Sequence, residues 1–130
     1  MSKGSSNALQ ASLARPLILC IEDEAIHLTL RKKVLERDGY NVIGATTADE
    51  ALKILSEAPV CVVIADHMLR GTTGTELAER MKKIKPNVPI ILFSGNAPEH
   101  LNQVDVYVNK GEPTAFFLSI VRDVVQRARS

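Results

Sequence analysis

The chain has 130 residues, one domain's worth, with no room for a linked effector domain. Its 45% hydrophobic and 24% charged residues can build a sizeable core and exclude disorder over the whole length. Sixteen basic against fifteen acidic residues leave a net charge of +1, so no global field argues for nucleic acid or an anionic membrane.

Residues 1–15 hold Ser, Gly, Asn, Gln and Ala, with only Leu9 and Leu13 as large apolar groups, and predict a mobile tail. From Pro16 onward, short apolar runs alternate with longer amphipathic ones, as βα units of a parallel sheet do. The expected strands are 17–21, 41–45, 60–65, 89–93 and 104–109, three of them almost wholly aliphatic, as when helices cover both sheet faces. The longest apolar run, Val60 to Ala65, is far too short to span a bilayer, and no signal core precedes it. Cys20 and Cys61 sit in apolar stretches and read as reduced core thiols. Together these features predict a cytoplasmic protein.

The first helix is expected from Ala25 to Asp38, with Ile26, Leu30 and Val34 on its inward face and Gly39 as terminator. Thr47 and Glu50 form a capping-box signature for the second, which carries Ala51 and Leu55 inward. Leu77, Met81 and Ile84 mark the third, and Phe117, Val121, Val124 and Ala128 mark the last, starting near Thr114. Between Gly95 and Gln103 there is room for about two turns of low apolar content, so a fourth helix is short, frayed or replaced by a loop.

In an open parallel sheet, ligands bind outside the carboxyl ends of the strands. There this chain places Glu22 and Asp23, then Asp66, Ser94 and Lys110, while Asn41–Ala45 is followed only by a helix cap, which suits an edge strand. Taken singly, each is a cap, a turn starter or a solvated charge. Jointly they put three carboxylates, a hydroxyl and an ammonium on one rim. Two carboxylates about 4 Å apart repel by about 4 kcal/mol at an effective dielectric near 20, and Lys110 alone cannot balance three. Either one acid stays protonated or a hard divalent cation sits there; oxygen-only ligands favour Mg²⁺ or Mn²⁺ over zinc.

The sequence resembles the receiver domain of two-component response regulators from Pro16 to Arg129. The resemblance rests on Ile21-Glu22-Asp23-Glu24, on Val63-Ile64-Ala65-Asp66-His67-Met68 followed by Gly74, on Ile91-Leu92-Phe93-Ser94-Gly95, and on Tyr107-Val108-Asn109-Lys110. It implies an α/β flavodoxin-like (βα)5 sandwich over residues 16–130, with a parallel sheet of order 2-1-3-4-5. It also implies that Asp66 accepts a phosphoryl group from a phosphohistidine on a histidine kinase or phosphotransfer protein. Glu22, Asp23, Asp66 and the backbone carbonyl of Met68 would hold Mg²⁺, with Lys110 and Ser94 on the phosphoryl oxygens. Tyr107 matches the family's aromatic switch position, against a plain reading as a half-buried strand tyrosine with an exposed hydroxyl. His67, Met68 and Asn96 match positions that tune phosphoryl lifetime.

Four departures stand out. Gly111 follows Lys110 where the family has a cis proline, and a trans bond is expected because a non-proline cis bond costs about 2.5–4 kcal/mol; Pro113 is placed to start the last helix. The Ser94–Lys110 interval is about a turn and a half of helix short, which falls in the fourth helix and its output face. Arg70 replaces a common proline, with Gly71-Thr72-Thr73-Gly74 reading as a flexible loop, and His67 reads as an exposed loop histidine.

The expected function is that of a single-domain response regulator, not a dedicated enzyme beyond self-phosphorylation and weak autodephosphorylation. It would signal to a downstream protein target without nucleic acid or membrane. A phosphorelay shuttle or sink, and a pseudo-receiver binding module, are the rival readings. A phosphatase with an Asp nucleophile wants a second Asp where Met68 stands, and is set aside.

Overall fold

The computed structural model describes residues 15–129, so the expected tail lies outside the described residues apart from Arg15. The elements in chain order are β1 (Leu17–Ile21), α1 (Ala25–Arg37), β2 (Asn41–Ala45), α2 (Ala48–Glu57), β3 (Val62–Ala65), β4 (Met68–Leu69), β5 (Thr72–Thr73), α3 (Gly74–Ile84), β6 (Ile90–Ser94), β7 (Val106–Asn109) and α4 (Thr114–Ala128). Five strands form one parallel sheet in the order β2-β1-β3-β6-β7. That is the expected 2-1-3-4-5 once the small β4–β5 hairpin is set apart, and β2 lies at the edge.

Alternation along the strands divides the core in two. Leu19, Ile21, Val63, Ala65, Ile90 and Leu92 pack under α2 and α3 through Leu55, Leu77 and Met81. Ile18, Cys20, Val62, Ile64, Ile91 and Val108 pack under α1 and α4 through Leu35, Phe117 and Val121. All four residues of β3 are buried, as a central strand covered on both sides requires.

Helix α1 departs from its predicted face. Its inward row is Leu28, Arg31 and Leu35, whereas Ile26 is 74% and Leu30 59% exposed, and Val34 is half-buried. Apolar residues surround this helix on more than one side, so two stripes compete. The sheet selects Leu28, which fills the space above Gly44, and Leu35. Gly39 ends α1 with φ +100°, as expected. Asp38 then takes a two-pronged bond from Arg122 at 2.8 and 2.9 Å, tying α1 to α4.

At α2 the predicted cap forms. The Glu50 N–H donates to Thr47 Oγ1 at 3.1 Å, and the Glu50 carboxylate accepts from the Thr46 N–H at 2.9 Å. β3 starts at Val62 rather than Val60, and Ile84 and Ala128 are exposed at their helix ends rather than inward.

No helix forms between β6 and β7; residues 95–105 are a loop, which selects one of the three predicted alternatives. Buried Val104 plugs the sheet face there, and Asp105 staples the loop down. Its carboxylate accepts from the Ile90 N–H and from Lys82 Nζ of α3, each at 2.8 Å. Within the expected 71–74 loop, Thr72–Thr73 form the returning strand of the β4–β5 hairpin, turned at Gly71 with φ +78°, and Gly74 already belongs to α3. Gly74 then opens α3 where a Cβ would strike Leu92 and the Asp66 carbonyl.

Candidate phosphoryl-acceptor site

Hydrogen bonding continues one residue beyond β1 and β3 and sets the two central acids. The Glu22 N–H donates to the Ala45 carbonyl at 3.0 Å, and the Asp66 N–H to the Ile21 carbonyl at 3.1 Å. Their side chains are sunk between strand ends, Glu22 1% and Asp66 8% exposed. Lys110 follows β7 at the other edge; its N–H donates to the Ser94 carbonyl at 3.0 Å, while its Nζ reaches Asp66 Oδ2 at 2.7 Å and lies 3.6 Å from Glu22 Oε2.

These contacts separate the two carboxyls chemically. Burial pushes Glu22 up, as does its contact with Asp66, against the pull of Arg31 and Lys110. Burial alone would raise Asp66 as well, but its contact with Glu22, the hydrogen bond from Lys110 and the ammonium charge hold it below its ordinary value. The two carboxyls are thus shifted in opposite directions, and Asp66 is the one favoured as the anion, the form a nucleophile needs. The Met68 N–H adds a 3.3 Å bond to Asp66 Oδ1.

Of the predicted set, the structure brings Glu22, Asp66 and Lys110 together and sets Ser94, buried, at the end of β6 with the Asn96 N–H 3.5 Å from its hydroxyl. Asp23 lies at the rim, 3.7 Å from Arg70 Nε. Among the described residues no three His, Cys, Asp or Glu side chains converge closely enough to hold a metal as they stand. The donors are nonetheless hard oxygens, two of them buried carboxyls pressed together, and Asp23 is detained only by an exposed arginine. This set fits Mg²⁺ in chemistry.

Lys110 reaches Asp66 with every described peptide bond trans, including the one to Gly111. Asn109 compensates in the turn, its Oδ1 accepting from the Gly111 N–H at 2.7 Å. Tyr107 is half-buried, but its hydroxyl is engaged rather than exposed: it donates to the Ser94 carbonyl at 3.1 Å and accepts from Asn109 Nδ2 at 3.1 Å. Met68 and Asn96 are exposed, whereas His67 is half-buried, not exposed, with Nδ1 enclosed and without a hydrogen-bond partner among the described residues.

Sequence reasoning missed Arg31. It is buried, Nη1 lies 3.2 Å from Glu22 Oε2, and its guanidinium stands 4.8 Å from the centre of the Phe93 ring. The signal was present in the spacing Leu28-Arg31-Leu35, a stripe equal in length to the one chosen.

Known proteins agree with this geometry. A CheY-like receiver domain protein from Methanospirillum hungatei superposes with a TM-score of 0.83 at 25% identity, covering 89% of this chain and 98% of the other. The response regulator TrrA of Thermotoga maritima, solved in complex with Mg²⁺-BeF, gives a TM-score of 0.78 at 27% identity over 84% and 98%. Among curated sequences, the aerobic respiration control protein ArcA of Escherichia coli is 36% identical over 84 residues, 65% of this chain. A putative NtrX-like response regulator of Rickettsia felis is 38% identical over 81 residues, 61% of this chain. The matched parts are only 35% of ArcA and 17% of the NtrX-like protein. The family described as response regulator receiver domain matches residues 18–109, and with that match, the sheet order and the rim of Glu22, Asp66 and Lys110 in agreement, the chain belongs to the receiver domains of two-component signalling.

Proposed function

We propose that the protein accepts a phosphoryl group on Asp66 from a phosphohistidine partner, a histidine kinase or a phosphotransfer protein, and signals through contact with another protein. The observation that carries this reading is the buried Asp66 carboxylate with Lys110 Nζ 2.7 Å from one of its oxygens.

In the transfer, an Asp66 oxygen forms the new bond to phosphorus as the P–N bond breaks, and the electron pair leaves with the imidazole nitrogen. Lys110 orients the carboxylate beforehand and then meets the charge on the phosphoryl oxygens. Ser94, fixed by the Lys110 and Tyr107 bonds to its carbonyl, presents a hydroxyl donor on the same rim. Glu22, Asp23, Asp66 and the Met68 main-chain carbonyl would hold Mg²⁺, or Mn²⁺, which when bound supplies charge neutralisation between carboxylates and phosphoryl oxygens.

No helix of the described residues is long and apolar enough to cross a membrane, and a cytoplasmic setting follows from the proposed kinase partnership. Self-phosphorylation with slow hydrolysis is the chemistry expected, not turnover of a separate substrate. The shuttle reading is favoured by one feature: loop 95–105 replaces the fourth helix on the output side, while the acceptor rim is intact.

Mixing the protein with a phosphorylated histidine phosphotransfer domain tests the proposal. Phosphate should move to the wild type and not to Asp66→Ala. Rapid return to the donor marks a relay; retention together with capture of a further protein marks an output regulator. No transfer from any histidine donor overturns the reading and leaves a binding module.

A further inference from the structure

Among the described residues Arg31 is the one basic side chain that is buried, and it lies in the inward row of α1 where Leu28 and Leu35 are apolar. A buried cation needs a partner that stays charged and close. Its partner is Glu22, with Nη1 3.2 Å from Oε2. The guanidinium cannot easily leave, because its carbon stands 4.8 Å from the Phe93 centroid and Phe93 is itself stacked on Phe117 at 4.4 Å. Glu22 Oε2 also faces Lys110 at 3.6 Å, and Oε1 accepts from the Glu24 N–H at 3.3 Å. Both Glu22 oxygens are thus occupied by the chain itself.

We propose that Arg31 is a positioning residue that holds Glu22 in an internal ion pair, keeping the acidic rim assembled without a divalent cation and weakening the binding of one. This rests on the proposed receiver chemistry, in which Glu22 is a ligand. A fixed positive charge on Glu22 opposes a second cation on the same carboxylate, whereas its loss leaves a buried acid in want of any cation. The two effects of removing Arg31 therefore have opposite signs: lower stability of the metal-free protein and tighter binding of Mg²⁺.

The test is calorimetric titration of the full chain with Mg²⁺ alone, beside thermal unfolding with and without Mg²⁺, for wild type, Arg31→Met, Arg31→Lys and Phe93→Leu. Arg31→Met should bind Mg²⁺ at least tenfold more tightly, with a lower metal-free melting temperature and a larger rise on adding Mg²⁺. Arg31→Lys should return to near wild-type affinity. If Arg31→Met does not fold, Phe93→Leu decides, since it frees the guanidinium and should tighten Mg²⁺ severalfold. Unchanged or weaker binding in folded Arg31→Met, or in Phe93→Leu where that variant decides, overturns the role of Arg31 while leaving the receiver reading intact. A wild type that binds no Mg²⁺ and takes no phosphoryl group overturns that reading, and this inference with it.

Discussion

Lys110 Nζ donates a 2.7 Å hydrogen bond to Asp66 Oδ2 although the two residues are 44 apart in sequence and directly follow strands β7 and β3, which do not pair. The intervening strand β6 sets the gap, and the lysine Nζ crosses it 5.9 Å from the centre of the Phe93 ring. Lys110→Ala should leave the fold intact but slow phosphoryl uptake from a small phosphodonor by roughly a hundredfold, the scale for losing one preorganised donor at a site of developing charge. A rate within twofold of wild type would remove the lysine from the chemistry.

Tyr107 gives a second expectation. Its hydroxyl ties the Ser94 carbonyl to Asn109, so Tyr107→Phe should cost about 1 kcal/mol in urea unfolding and leave Asn109 short of a partner. A tyrosine that worked only as a mobile switch would show no such loss in the unphosphorylated protein.

Gly74→Ala should destabilise by about 1–3 kcal/mol, because the added methyl group meets Leu92 and the Asp66 carbonyl at the start of α3. The displacement reaches Asp66 directly, so phosphoryl uptake at the proposed acceptor should fall along with stability. Gly95→Ala, where a Cβ meets nothing, is the control for denaturant midpoint and rate alike.

Thiol ionisation contributes to the alkaline limb of stability. Burial pushes Cys20 up to about 11 from an ordinary value of 9.0, with Arg31 partly opposing the rise. The unfolded chain therefore ionises first, and the stability due to the neutral thiol is full below pH 9.0 and lost as pH climbs to about 11. The loss amounts to roughly 3 kcal/mol. Tyr40 and Cys61 are raised by burial as well and act in the same direction. Urea unfolding across this range should show the decline, and Cys20→Ala should flatten it; an equal decline in the variant would assign the effect elsewhere.

The gathering of Glu22 and Asp66 at one rim was legible because strand ends and carboxylates are both local in sequence: Ile21-Glu22 and Ala65-Asp66 read directly as apolar runs stopping at acids. The orientation of α1 was not, since Ile26, Leu30 and Val34 make as good a stripe as Leu28 and Leu35, and the choice rests on non-local partners: Gly44 under Leu28, and Glu22 and Phe93 beside Arg31. The 95–105 loop was half legible: its poverty in apolar residues argued against a packed helix, but the Lys82–Asp105 staple that replaces one joins residues 23 apart. Tyr107's engaged hydroxyl depended likewise on a partner, Ser94, from another strand.

The central claim is that Asp66 becomes phosphorylated. Incubating the full chain with Mg²⁺ and a small phosphodonor, followed by intact-mass spectrometry, tests it most directly. The account predicts one added phosphoryl mass that disappears with hydroxylamine, is lost on chelation of Mg²⁺ before the donor is added, and is absent in Asp66→Ala. No adduct with any donor, or an adduct that survives Asp66→Ala, would contradict it.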